Sequence, residues 1–190
     1  MFRRLGDEAL PFYYQLKDDS DSDILAAVST TSADLRFLDV DMWAENLVEL
    51  SNHELPVVRR NLVPSLREYF ETFPDDTRKL LPVMWQDGDE VVRTRMRELL
   101  IKMSDISSTQ FGARITDLNQ HGCDLSALWR LMDARRKGSS EAWKSWLSGE
   151  GEMPETIETM RHVSTMQAPE ELPDLSEALE TLDEELGFLD

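Results

Sequence analysis

One cysteine, Cys123, is present among 190 residues. An intrachain disulfide and any metal site built from several thiolates are therefore excluded. The scarcity of thiols suits a reducing compartment. Histidine is nearly as rare, at positions 53, 121 and 162. Glycine and proline number eight each, and no glycine cluster forms a phosphate-cradling loop or a dinucleotide fingerprint. No stretch approaches the roughly 18 apolar residues that a membrane span requires. The opening MFRRLGDEAL has two arginines but no apolar run behind them, so it makes a poor signal peptide. These absences lead to the expectation of a cytoplasmic protein without cofactor, metal or membrane.

Lysine is also scarce, with 5 lysines against 15 arginines, while the net charge is −18. The charge is unevenly placed. Residues 1–56 carry net −8, residues 57–137 net +2 and residues 138–190 net −12. A slightly basic body thus lies between two acidic ends.

With few breakers, apolar spacing is helical almost throughout and no alternating strand pattern stands out. The expected class is all-α. DSDSDILAAVS (18–28) offers a polar helix start and a short apolar face. DVDMWAENLVELS (39–51) places Met42, Leu47 and Leu50 near one face, with Trp43 beside them. A helix over 57–73 points Val58, Leu62 and Leu66 inward, and Pro64 within it is expected to kink it or shift its boundary. PDDTRKLLPVMW (74–85) is another helix containing a proline. EVVRTRMRELLIKM (90–103) is the cleanest amphipathic stretch, with Val92, Met96, Leu99 and Met103 on one stripe and Asp89 able to cap it.

The same pattern returns after 34 residues. Val57-Val58-Arg59 lies over Val91-Val92-Arg93, and Leu62 and Leu66 lie over Met96 and Leu100. Leu47 lies over Leu81 and Ile115, Leu50 over Met84 and Leu118, and the turn Asp87-Gly88 over His121-Gly122. The third copy is degenerate, with Leu125-Ser126-Ala127 in place of Val-Val-Arg. A fixed period with paired helices predicts stacked helical hairpins. NHELPVVRRNLVPSL and QDGDEVVRTRMRELL resemble HEAT repeats, in which an acidic turn precedes a valine-arginine pair opening the second helix. The resemblance implies a short α-solenoid of about three hairpins. The expected organisation is a divergent helical lead-in over 1–38, a HEAT-like body over 39–148, and a linker with an acidic amphipathic extension over 149–190.

Two surfaces are candidates. In HEAT-like solenoids the second helices line the concave side, so Arg60, Arg95, Arg97 and Arg130, followed by Arg135 and Arg136, form a candidate anion or nucleic-acid stripe. The resemblance also implies that Arg59 and Arg93 pair with turn acids and serve structure. DARRKGSS (133–140) is most simply a helix end whose basic residues complement the dipole. The second surface is DLSEALETLDEELGFLD, in which Leu175, Leu179, Leu182, Leu186 and Leu189 are spaced 4, 3, 4 and 3. That spacing makes one apolar seam with acids on the other faces, and Phe188 extends it. Two heptads are too short to stand alone in water, so the helix must dock on its own body or on a partner, or remain partly disordered.

Catalysis has little to work with. His53-Glu54 resembles the His-Glu pairs with which deoxyhypusine hydroxylase holds two irons, but only one such pair occurs. Cys123 near His121 reads as a helix-start residue rather than a nucleophile. The favoured function is a non-catalytic adaptor or scaffold that binds another protein. The competing reading is a nucleic-acid binder, similar to HEAT-like DNA alkylation-repair proteins, whose basic stripe is gated by the acidic tail. Phosphate binding needs a favourable field, and the net charge works against it.

Overall fold

A computed structural model describes residues 6–135 and 139–155. The chain divides into two units, Met1–Thr156 and Ile157–Asp190, and every described residue lies in the first. Among the described residues the protein is all-α, with no strand. The helices are α1 (Leu10–Lys17), α2 (Ser22–Thr31), α3 (Val40–Ser51), α4 (Pro56–Thr72), α5 (Pro74–Trp85), α6 (Glu90–Ile106), α7 (Ser108–Gln120), α8 (Ser126–Arg135) and α9 (Ser139–Ser148). Short 3-10 helices span Gly6–Ala9 and Ser32–Phe37.

Local chemistry explains most of these boundaries. Asp39, Asp89 and Ser107 each adopt extended backbone and accept hydrogen bonds from the first amides of α3, α6 and α7. Pro56 and Pro74 occupy the first positions of α4 and α5, where a missing N–H costs little. First helices begin at Val40, Pro74 and Ser108, and second helices at Pro56, Glu90 and Ser126. The 34-residue period is kept by every start except that of α8, which comes two residues late. The extra chain is the turn His121–Leu125, where Gly122 takes a left-handed φ of 66° that favours glycine.

Packing follows the same order. First helices touch in succession, α3 to α5 to α7 and then to α9, and second helices touch from α2 to α4 to α6 to α8. Leu47, Leu81 and Ile115 are fully buried, as are Met84 and Leu118, with Leu50 at 2% exposure. Val58, Leu62 and Leu66 of α4 and Val92, Met96 and Leu99 of α6 are likewise buried. Gly112 of α7 admits the Trp146 ring of α9 so closely that an added Cβ would stand 2.8 Å from the ring's far edge.

Pro64 does not end α4, which runs on to Thr72. It withholds the N–H that the Arg60 carbonyl would receive in a regular helix. Arg95 Nη1 of α6 donates to that carbonyl at 2.6 Å. A parallel repair occurs at the end of α4. Pro74 leaves the Phe70 carbonyl without its i+4 donor, and buried Arg114 of α7 reaches that oxygen at 3.5 Å. Two arginines, one on α6 and one on α7, therefore reach the carbonyls that two prolines leave open.

Candidate functional site

The C-terminal seam of Leu175, Leu179, Leu182, Leu186, Phe188 and Leu189 lies outside the described residues. The arginine face lies inside them, except for Arg136. Arg59 forms a two-pronged pair with Asp87 of the following turn, Nε to Oδ2 at 2.7 Å and Nη2 to Oδ1 at 2.9 Å. Its Nη1 also donates to the His53 carbonyl at 2.5 Å. Thirty-four residues on, Arg93 Nη1 donates to the Asp87 carbonyl at the same 2.5 Å. The repeat thus recurs as a hydrogen bond as well as a letter pattern. Arg93 has no turn acid ahead of it, because His121 stands where Asp87 would, and it pairs with Glu90 instead.

Four of the stripe candidates are held by neighbouring groups. Arg60 donates from Nε and Nη2 to Asp89 at 2.8 and 2.5 Å. Arg95 turns across to α4, onto the Arg60 carbonyl and onto Asn61 Oδ1 at 3.3 Å. Asn61 in turn donates to the Ala26 carbonyl of α2 at 3.3 Å. Arg97 pairs with Glu90 at 3.2 Å and Arg135 with Asp105 at 3.2 Å. Arg130 is exposed, and its charge acts together with that of Arg97 on Asp124. The structure joins Arg60 and Arg95 into one network, and places Arg97 and Arg130 around one carboxylate.

The electrostatics match this geometry. The Arg60 hydrogen bonds hold Asp89 well below the usual carboxylate range, and the Val92 and Val91 amides add to the effect. Burial pushes Asp87 up, but the bonds from Arg59 and from the Asp89 N–H outweigh it and leave its pKa lowered. Both turn acids are therefore fixed as anions, and the stripe presents fewer uncompensated cations than its arginine count suggests.

The reactive-looking residues also have local partners. His53 Nδ1 accepts from the Leu55 N–H at 3.1 Å, and His121 Nδ1 lies 2.7 Å from the Asp117 carbonyl. Cys123 is buried, with Gln86 Nε2 3.1 Å from its sulfur. An open cleft of about 540 Å³ adjoins Cys123 between the start of α8 and the end of α9, with Leu125, Trp129 and Leu147 as its apolar lining.

A further surface escaped the sequence analysis. Between α3 and α5 lie two adjoining hollows of about 350 and 410 Å³ that share Val48, Tyr69 and Asp76. Val48 is 40% exposed and Val83, across the groove, 54%. Tyr69 is fully buried against Trp43 and Phe73, and its hydroxyl has no hydrogen-bond partner. Burial, aided by the Asp76 charge, pushes that phenol up to about 12. The signal available in the sequence was the four-residue spacing of Val40, Ala44 and Val48 beside Asp41, Glu45 and Glu49. No family model matches this chain, and no curated protein and no solved structure matches it.

Proposed function

We propose that this chain is a non-catalytic adaptor: a short HEAT-like stack of three hairpins that presents its surface to another protein. The observation that carries the reading is the repeat of packing and bonding together. First helices meet first helices, second helices meet second helices, and the bond of Arg59 to the His53 carbonyl recurs as that of Arg93 to the Asp87 carbonyl. Stacked hairpins of this kind expose long faces whose side chains are not needed for the core, and such faces serve recognition. The enzyme reading gains no support from His53 and His121, each engaged by local backbone, or from Cys123, which is buried against Gln86. The nucleic-acid reading is weakened by the carboxylates facing Arg60, Arg97 and Arg135.

The acidic C-terminal leucine seam is the proposed contact for the partner. The test is chemical crosslinking in native extract, comparing the full chain with a Leu179→Asp, Leu182→Asp, Leu186→Asp triple variant. A partner captured by the first and lost by the second supports the reading. Equal capture removes the seam from it. Retardation of duplex DNA or RNA at low salt, with no captured protein, replaces the reading with its nucleic-acid competitor.

A further inference from the structure

The groove between α3 and α5 combines three features that no fold requirement explains. The first is an exposed apolar track: Val48 at 40% on α3 and Val83 at 54% on α5 line the hollows, and Val40 at 45% lies further along α3, beyond them. Val40 and Val48 are two helical turns apart, a length of about 12 Å. The second is an acidic rim, in which Lys79 is the one cation among the lining residues. Asp41, Glu45 and Glu49 follow each other at four-residue spacing on α3, where like charges repel and weaken a helix. Glu49 is neutralised by Lys17 at 2.6 Å. Glu45 forms no ion pair among the described residues, and Asp76 meets only exposed Lys79, at 3.7 Å. The third is the Tyr69 hydroxyl, an unpartnered polar group on a fully buried side chain whose residue lines both hollows. A buried hydroxyl without a partner is a cost to the free protein.

We propose that this groove is the docking site for a cationic amphipathic helix of a partner protein. Its aliphatic face lies along Val40, Val48 and Val83. Its lysine or arginine side chains meet Glu45 and Asp76, and one polar group of the partner reaches the Tyr69 hydroxyl. Apolar anchors in a groove with a complementary charged rim are the usual form of helix recognition, and the two-turn track fits a helix better than a compact ligand. A second copy of this chain is a poor occupant, since its net charge of −18 opposes an acidic rim. The inference rests on the adaptor reading and names a surface for it on the first helices, apart from the leucine seam.

The test uses the full chain and a labelled amphipathic peptide of about 18 residues, leucine on one face and lysine on the other. Binding is followed by fluorescence anisotropy at near-physiological salt. Glu45→Lys is expected to weaken binding by about tenfold, and joint replacement Val48→Ser with Val83→Ser by about fivefold. Tyr69→Phe is expected to weaken binding by about threefold while the melting temperature holds or rises, because the orphan hydroxyl is gone. Glu98→Lys, the same charge change at an exposed site on α6, is expected to alter binding by less than about twofold. Absence of binding overturns the proposal. So does equal weakening by Glu45→Lys and Glu98→Lys, which means unlocalised charge attraction, or equal binding of a peptide with glutamate in place of lysine. The two readings fail separately. Capture of a native partner with no groove-specific peptide binding removes the groove and leaves the adaptor, whereas groove-specific peptide binding with no captured protein removes the adaptor and leaves the groove.

Discussion

The joint between the 40–72 and 74–106 hairpins and the joint between the 74–106 and 108–135 hairpins bury matching apolar rows but are fastened by different polar groups. In the first, Arg59 grips Asp87, Arg60 grips Asp89, and Arg95 reaches back to the Arg60 carbonyl. In the second, the turn is held by Trp85 Nε1, which donates to the Asp124 carbonyl at 3.1 Å, and by Gln86 Nε2, which approaches the Cys123 sulfur. Away from the turn, Arg78 pairs with Asp117 at 3.6 Å and Arg135 with Asp105 at 3.2 Å. The substitution at the turn explains the change. His121 replaces the acid, so Arg93 has no anion ahead and falls back on Glu90. A longer turn through Gly122 then brings Cys123 and Asp124 beside the end of α5. The apolar period sets which helices meet, and the turn residues decide whether the turn is tied to its neighbour by ions or by neutral donors.

The largest effect should come from breaking what both joints share. Met96 is fully buried on α6, the helix that touches both α4 and α8. Met96→Asp places a carboxylate among apolar neighbours with no designed partner. The expected loss is at least about 4 kcal/mol of stability, measured by denaturant unfolding. A variant that unfolds at the wild-type midpoint would show that α6 does not tie the two joints together.

The rows of buried residues were legible because a 34-residue repeat survives in Leu47, Leu81 and Ile115 and in Val58 and Val92. The cap at Asp89 was legible for the same reason: an acid stands directly before a periodic stretch. Helix α1 was not. It buries only Tyr13, and its fastening is non-local, through Asn46 Nδ2 to the Tyr13 hydroxyl at 2.7 Å and Lys17 to Glu49. The bond of Arg95 was not legible either, because its acceptor is a carbonyl freed by Pro64, some thirty residues earlier. Periodicity gives the direction of a side chain on its own helix, but not the acceptor that a proline opens on another. The groove below Val48 was hidden for a related reason. Its floor, Tyr69, belongs to α4, a different helix from either wall.

The next effect sharpens the contrast between the joints. Asp87→Ala removes both acceptors of the Arg59 fork and leaves a guanidinium only 15% exposed without its anion. The expected cost is about 2 kcal/mol at neutral pH. The sign of the pH dependence follows from the lowered pKa values of Asp87 and Asp89. Their contribution is complete above the unfolded carboxylate pKa of about 4 and is lost as pH falls toward the folded values. Wild-type stability should therefore decline below about pH 4, and Asp87→Ala should flatten part of that decline. A variant whose stability falls as steeply as the wild type's would place the acid-sensitive groups elsewhere.

The smallest effect belongs to the second joint. Trp85 is 5% exposed, and its indole N–H is the direct bond from α5 to the turn before α8. Trp85→Phe keeps an aromatic ring and removes that donor. The Asp124 carbonyl lies in an exposed turn, so water replaces most of what is lost. The expected cost is about 1 kcal/mol, a fall of about 2–4 °C in Tm for a chain of this size. Neither indole nor carbonyl titrates, and the lowered pKa of Asp124 comes from Ser126 in its own turn. The loss should therefore be the same near neutrality and at pH values where the first joint is already weakened. A loss that grows with acid would mean that the Trp85 bond also depends on a titrating group, and the distinction between an ionic and a neutral turn would not hold.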